Sequence, residues 1–367
     1  MPDYGQFIYF WHMTKRMQTI IAVSIFPQIV IVKQLAKYPE FIEAYYSNGV
    51  YPYLSKGFRF IFGWVPFSVG DIFYTIAGIL IIRFLIRKGW MFFYETRNFF
   101  REVFVVISML YFIFHLFWGM NYYRLPVSET YNLNEDYTEE ALMNFTDRLV
   151  NKANEVHLSI TKNDTVMVTI PYTTKEIYRM AVSGYDQLEK NIPDLAYRPA
   201  SIKSSLYSTM LTYMGYGGYL NPFTHEAHVN RVAFSYKYPT VTCHELAHQL
   251  GYSAENEANF IGYLAAVNND DIYFKYSAYV YSLRYCLGEI KRRDENKFRE
   301  VTAKINPGII KNYINVANFW SKYDNRAEPI FKNSFDTFLK ANNQKEGIKS
   351  YNYVIALLVN YHESTPL

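Results

Sequence analysis

The chain has 367 residues, half of them hydrophobic and 19% aromatic, with a formal net charge of only +4. So small a positive excess excludes the basic surface of a nucleic-acid-binding protein, and two cysteines exclude a cysteine-rich metal or disulfide framework. The aromatic side chains are concentrated near apolar runs, as in the interfacial belts of membrane proteins, so we expect a protein attached to a lipid bilayer.

Three apolar stretches in the first third of the chain predict membrane-spanning helices. The strongest runs from Val103 to Met120, is interrupted only by Ser108 and His115, and is long enough to cross about 30 Å of hydrocarbon. The predicted spans are, in chain order, about 17–36, 64–86 and 102–120. Residues 1–122 are therefore predicted to form a membrane region, and residues 123–367 a separate domain.

Basic residues predict the orientation of these spans. The connection between the second and third spans contains Arg83, Arg87, Lys88, Arg97 and Arg101. Short cytoplasmic loops are enriched in such residues, so this connection is expected to face the cytoplasm and residues 123–367 the opposite side. The predicted location is the bacterial inner (plasma) membrane, with several spans and an extracytoplasmic domain. Residues 37–59 are predicted to form a loop between the first two spans.

Residues 123–367 read as one α+β domain that is mainly helical. Apolar residues recur at helical spacing from Thr138 to His157 and from Thr173 to Lys190. Residues 165–170 and 225–234 are predicted strands, and residues 216–219 a turn. A last helix is expected at about 345–362.

His244-Glu245-Leu246-Ala247-His248 is an HExxH sequence. On a helix, residues four apart lie on one face, so both imidazoles can bind one zinc ion with Glu245 beside it. A chance occurrence is expected in roughly one chain of this length in a hundred, so the context matters. Pro239 is expected to end a preceding strand, Thr240 or Thr242 to cap a new helix, and Gly251 to follow its end.

A zinc site of this type needs a third protein ligand and leaves one position for water. Ser253 can cap a second helix over about 254–267, which has Glu255 and Glu257 in its first turn. Glu255 shares a face with Asn259, so Glu255 is the favoured ligand and the Asn259 amide is expected to hold a histidine from behind. Glu257 remains the alternative ligand.

At these residues the chain resembles the gluzincin metallopeptidases, because Glu255-Asn256-Glu257-Ala258-Asn259 looks like their E-x-E-A-D element with Asn259 in place of the aspartate. The short connection between the two helices is similar to that of HExxHxxG zincins, but their third histidine would fall at Ala254. The wider chain resembles an uncharacterised family of bacterial membrane-anchored HExxH proteins, through residues 66–72, 221–224 and 242–249. These resemblances imply a zincin-like domain with a small sheet.

Zincins commonly bind peptides along an edge strand above the HExxH helix. By this resemblance, Ala227 to Arg231 is the expected edge, and His228, Asn230 and Arg231 are expected to bind substrate. A second metal site at His225, Glu226 and His228 is an alternative, but the spacing of these residues suits one ion poorly, so hydrogen bonding or substrate contact is favoured.

The sequence therefore predicts a membrane-anchored zinc metallopeptidase that hydrolyses peptide bonds with a zinc-activated water and Glu245 as general base. The expected cofactor is Zn²⁺, and the expected partners are a peptide or protein substrate and the lipid bilayer, without nucleic acid. A non-hydrolytic zinc-binding membrane sensor or envelope assembly protein is the alternative. Four downstream residues are open as donors to the reaction's oxyanion: Tyr263, Tyr281, Arg284 and His362.

Overall fold

The structure is a computed structural model that describes residues 13–345, 347 and 353–367. Helices make up 71% of it, so the expectation of a mainly helical chain with a small sheet is confirmed. The amino-terminal helices are α1 (Lys15–Val23), α2 (Ile25–Leu35), α3 (Pro39–Phe41), α4 (Tyr51–Gly63), α5 (Val69–Lys88), α6 (Met91–Tyr94), α7 (Thr96–Phe117) and α8 (Val127–Thr130). The later helices are α9 (Glu139–Thr161), α10 (Thr174–Leu188), α11 (Ser208–Met214), α12 (Tyr238–Gln249), α13 (Glu255–Val267), α14 (Ile272–Arg293), α15 (Glu295–Ala303), α16 (Pro307–Ser321), α17 (Glu328–Ala341) and α18 (Val354–Ser364).

Three helical stretches are long and apolar enough to cross a membrane: Lys15–Leu35, Val69–Lys88 and Thr96–Phe117. They overlap the three predicted spans. The first consists of α1 and α2 in succession and packs along α7, where Ser24 and Gln28 meet the Ser108 hydroxyl at 3.0 and 2.9 Å. These polar side chains therefore form hydrogen bonds with one another between two apolar helices, although Gln28 Oε1 has no partner among the described residues.

The segment between the first two spans is helical, so the prediction of a loop over residues 37–59 is wrong. It contains α3, a π-helical segment (Ile42–Val50) and α4. Its only fully buried cation, Arg59, donates to Pro199 O at 3.0 Å. Of its basic residues, Arg59 is used for contacts within the protein, whereas Lys37 and Lys56 are exposed.

Helices α9 and α10 begin where the sequence indicates. Thr138 accepts a hydrogen bond from Ala141 N at 3.1 Å, and Thr173 forms a capping box with Glu176. Both helices bury their apolar faces in one large core with α12, α13, α14 and α18. The last predicted helix, at about 345–362, corresponds in its second half to α18 (Val354–Ser364). Residues 346 and 348–352 of the prediction lie outside the described residues.

The sheet has three short strands in the order β1 (Ile202–Ser204), β3 (Ala227–Val229) and β2 (Gly218–Leu220). β3 pairs parallel with β1 and antiparallel with β2. The predicted strand over 225–234 is thus reduced to 227–229, and the predicted turn over 216–219 instead includes the start of β2. Since β3 is central, the expectation that it forms a free edge for substrate is wrong. Residues 165–170 form no strand, because Val168 pairs its backbone with the Asn312 side chain.

The start of α5 is joined to this sheet by buried hydrogen bonds. The Glu226 carboxylate accepts from Val69 N at 3.2 Å and from Gly70 N at 2.5 Å. Ser68, the N-cap of α5, lies 2.6 Å from His228 Nε2. A carboxylate at a helix amino terminus pairs otherwise free N–H groups, so the second apolar helix is anchored directly on the central strand.

Candidate metal centre

Helix α12 holds the HExxH residues in the core. It begins at Tyr238 with Pro239 in its first turn, so Pro239 belongs to this helix and does not end a preceding strand. Neither Thr240 nor Thr242 is the N-cap. Gly251 follows the helix with a φ of +93°, as the sequence predicts. α13 packs closely on α12 at Gly262, where a Cβ would lie 2.7 Å from His244 N. Close packing of these two helices fixes the position of the motif.

His244, Glu245 and His248 are buried, and one potential ligand atom from each lies within 4.8 Å of the others. His248 Nδ1 lies 2.7 Å from Tyr252 O. When that nitrogen carries the proton, Nε2 of His248 presents a lone pair to the centre, as a metal ligand must. This buried His/Glu/His group can hold a metal ion.

Glu255 completes the group from the first turn of α13. Its Oε2 lies 3.3 Å from His244 Nε2 and 3.7 Å from His248 Nε2. Ligand atoms bound tetrahedrally to one zinc ion at about 2.0–2.2 Å lie roughly 3.3–3.5 Å apart. These separations fit a small divalent cation held by two imidazoles and one carboxylate.

The buried ionisable groups of the site shift one another's pKa values strongly. Burial raises the pKa of Glu255, but hydrogen bonds from the two histidines outweigh burial and hold this pKa well below its usual range. Burial lowers the pKa of His248, yet Glu255 more than reverses the effect and raises it to about 9. Glu245 is different: burial raises its pKa to about 8, and its Oε2 has no hydrogen-bond partner. A buried carboxylate without a structural partner indicates a functional role.

The structure brings Glu255, and not Glu257, to the histidines. Glu257 points away from them and accepts a hydrogen bond from Val127 N at 2.8 Å. Asn259 lies beside His244: burial lowers the pKa of this imidazole, and Glu255 and Asn259 oppose the shift. His244 Nδ1 has no partner at ordinary hydrogen-bond length among the described residues.

The residues predicted to bind substrate serve mainly the fold. His228 is fully buried against Ser68, and the Asn230 amide donates to Thr212 Oγ1 and Tyr216 O, both at 2.9 Å. Arg231 is exposed. Within the described ranges, the predicted second site around His225 does not assemble as a metal-binding group.

Several residues at the site were missed in the sequence. A Cβ at Gly218 in β2 would overlap Glu245 Oε1, so only glycine lets the edge strand approach this carboxylate so closely. The Trp118 ring lies 6.0 Å from the His248 ring. Burial and the charge of Glu255 raise the pKa of Tyr122. Trp118 and Tyr122 directly follow the third apolar helix, which is the only sequence signal that could have pointed to them.

The two cysteines and the candidate oxyanion donors make contacts within the core. Cys243 and Cys286 are both free and buried, as expected of small core residues. His362 lies 2.8 Å from the Tyr263 hydroxyl in the core. The Tyr281 hydroxyl approaches Asn259 Oδ1 at 3.4 Å. None of these contacts assigns an oxyanion donor.

Comparison with known proteins identifies one family. A family model described as "Protein of unknown function (DUF3810)" matches residues 46–359. No curated protein and no solved structure matches the chain. The match covers both the second and third apolar helices and the HExxH helix, so these features belong to one family unit.

Proposed function

The chain belongs to the DUF3810 family of proteins of unknown function, and on that premise we propose that it is a membrane-anchored zinc metallopeptidase of gluzincin type. One observation carries the proposal: two histidines and Glu255 converge at ligand spacing while the buried, unpartnered Glu245 lies beside them. A purely structural zinc site needs no such carboxylate and tends to use a fourth protein ligand.

His244, His248 and Glu255 would hold the ion. When bound, zinc polarises the substrate carbonyl and lowers the pKa of the attacking water. Glu245 takes the proton from that water and later returns it to the leaving amine. The Tyr252 carbonyl keeps the His248 ring oriented throughout, because it accepts a hydrogen bond from Nδ1.

The substrate backbone would lie along β2 rather than β3. β2 is an outer strand, and its Gly218 is adjacent to the Glu245 carboxylate. An extended peptide can pair with a free strand edge, which would bring its carbonyl groups past the general base. His228, Asn230 and Arg231 are not part of this proposed binding site.

The proposed location is the bacterial plasma membrane, with the metal centre outside the cytoplasm. Three helices of suitable length and hydropathy support membrane attachment. The basic connection between the second and third spans supports the orientation.

Zinc content tests the ligand set with a matched pair of variants on one helical turn. We expect the wild-type protein to contain stoichiometric zinc, Glu255→Gln to bind it at least about 100-fold more weakly, and Glu257→Gln to retain it. Metal analysis of the purified full chain, with circular dichroism to verify folding, gives the answer. Equal zinc content in the two variants would remove Glu255 from the ligand set.

Hydrolysis is tested separately with Glu245→Gln, which should keep zinc and lose turnover. The measurement is a comparison of new peptide termini among extracytoplasmic proteins in cells with wild-type protein and cells with the variant. Termini that disappear in the variant support the peptidase. Identical termini with zinc retained in both would favour the zinc-binding sensor or envelope assembly protein.

A further inference from the structure

Helix α4 turns its polar face towards the protein interior. Tyr51, Ser55 and Arg59 recur every four residues and are buried. Ser55 Oγ donates to Gln249 O at 2.8 Å, and Tyr51 OH donates to the same carbonyl at 3.1 Å. These bonds satisfy a carbonyl at the end of the metal-binding helix α12. The inner face of α4 therefore contacts the last residue of α12 and stabilises the end of that helix.

The outer face of α4 is apolar and aromatic. Tyr53, Phe60 and Trp64, the residue after the helix, are 79%, 76% and 80% exposed. Lys56 is the charged residue on this face, and its long side chain can extend its amine to the nearest water. A helix with polar residues inside and large aromatic residues outside is the reverse of a surface helix in water. Contiguous exposed apolar surface of this kind marks an interaction site.

The apolar face continues into the membrane-spanning helices. The Phe58 ring of α4 packs at 4.9 Å against Phe117, the last residue of α7. α5 begins at Val69, a few residues after α4 ends. α4 therefore packs against the end of α7 and leads within a few residues into α5, so its exposed apolar face lies next to the ends of two apolar helices. A lipid bilayer that surrounds these helices would also contact that face.

We propose that α4 lies in the bilayer interface and holds the metal centre at the membrane surface, so that the substrates are polypeptides tethered to or emerging from the bilayer. α12 ends on the inner side of α4, and His248 lies beside Trp118, the first residue after the third apolar helix. Tyr and Trp prefer the headgroup level, which agrees with Tyr53 and Trp64 on the outer face. The substrate part of the proposal rests on the proposed peptidase function, whereas the placement of α4 does not.

Spin-label accessibility tests the placement of α4. Phe60→Cys and Trp64→Cys introduce labelling sites on its outer face, and Asn333→Cys gives an exposed control on α17. The native cysteines are buried. In phosphatidylcholine nanodiscs, we expect labels at 60 and 64 to collide more often with oxygen than with a water-soluble nickel chelate, and the label at 333 to show the reverse. A label at 60 that behaves like the one at 333 overturns the proposal. Shielding from both probes with a dimeric particle assigns the face to a second copy and also overturns it.

Peptide presentation tests the substrate class in the same nanodiscs. The probe is an internally quenched peptide library, either free or with an amino-terminal palmitoyl chain. Tethering raises the effective concentration at the bilayer, so we expect cleavage about 100-fold faster for the palmitoylated form, and none by Glu245→Gln. Equal rates would leave the peptidase intact and refute the membrane substrate. If neither form is cut while label 60 lies in the bilayer, the proposed function fails and the placement of α4 stands.

Discussion

Helices α4 and α10 are both amphipathic, but they turn opposite faces to the protein interior. α10 buries Ile177, Ala181 and Tyr185 and exposes Lys175 and Arg179. This is the pattern of a helix between an apolar core and water.

α4 has the opposite arrangement, with Ser55 and Arg59 inside and Phe60 outside. If α4 lies in the bilayer interface as proposed, the two helices have different solvents on their outer sides. Where the outer solvent is lipid, polar side chains are best satisfied within the protein. Substitutions on the inner and outer sides of the two helices should therefore have unequal effects.

The largest effect is expected from a charge on the inner face of α10. Ala181→Lys would bury an amine without a partner among apolar side chains, at a cost of about 3–5 kcal/mol, so the protein should lose its folded state. The measurement is thermal unfolding of the detergent-solubilised chain. Ser183→Lys, an exposed position on the same helix, is the control and should unfold near the wild-type temperature. Similar behaviour of both variants would contradict an apolar inner face.

A smaller but clear loss is expected on the inner face of α4. Arg59→Met removes the bond to Pro199 O and the guanidinium that lies 4.8 Å from the centre of the Tyr197 ring, for a loss of about 2–3 kcal/mol. Lys56→Met on the outer face should change the unfolding temperature little. If the two substitutions had equal effects, the polar face of α4 would not be the one that supports the fold.

The loss of folding stability at acid pH should depend on His225, whose ring stacks on Phe58 of α4 at 5.0 Å. Burial lowers the pKa of His225 from 6.5 to about 3. The unfolded chain therefore binds a proton below pH 6.5 that the folded chain does not, and folding loses about 1.4 kcal/mol per pH unit down to about pH 3. His225→Asn, which tolerates the φ of +51° at this position and does not titrate, should flatten this slope whatever its effect on stability near pH 7. Parallel pH profiles of unfolding for variant and wild type would refute it.

The smallest effect is expected from Phe60→Ser on the outer face of α4. Because this side chain contacts lipid or detergent rather than protein, unfolding in detergent should change by less than about 0.5 kcal/mol. Thermal unfolding in detergent is the measurement, with Ile177→Ser on the inner face of α10 as the comparison. A loss at Phe60 as large as that at Ile177 would show that this face packs against protein.

Local spacing in the sequence predicted the metal-binding residues. The surroundings of the site depend on contacts between residues that are far apart in the sequence. His244 and His248 share a helical face because they are four residues apart, and Glu255 follows in the first turn of the next helix. The support from α4 could not be predicted, since Ser55 and Gln249 lie 194 positions apart and no local pattern links them.

The short strands, and helix α4 with its polar face inside, were also not predicted from the sequence. β1, β2 and β3 have three residues each, too few for the alternation of apolar and polar residues by which strands are recognised. α4 lies in the connection between two predicted spans, where its length and apolar content fall short of a membrane-spanning helix. The order of strands, which makes β3 central, depends on pairings that the sequence of a single chain does not reveal.

The junction between α5 and the sheet has a practical meaning for protein production. A chain shortened to residues 123–367 would lose Val69 and Gly70, leaving the buried Glu226 carboxylate without its backbone donors. It would also lose Ser55 and Tyr51, and with them the bonds to Gln249 at the end of the HExxH helix. Soluble expression of that fragment should therefore give aggregated material, and biochemistry on this protein calls for the full chain.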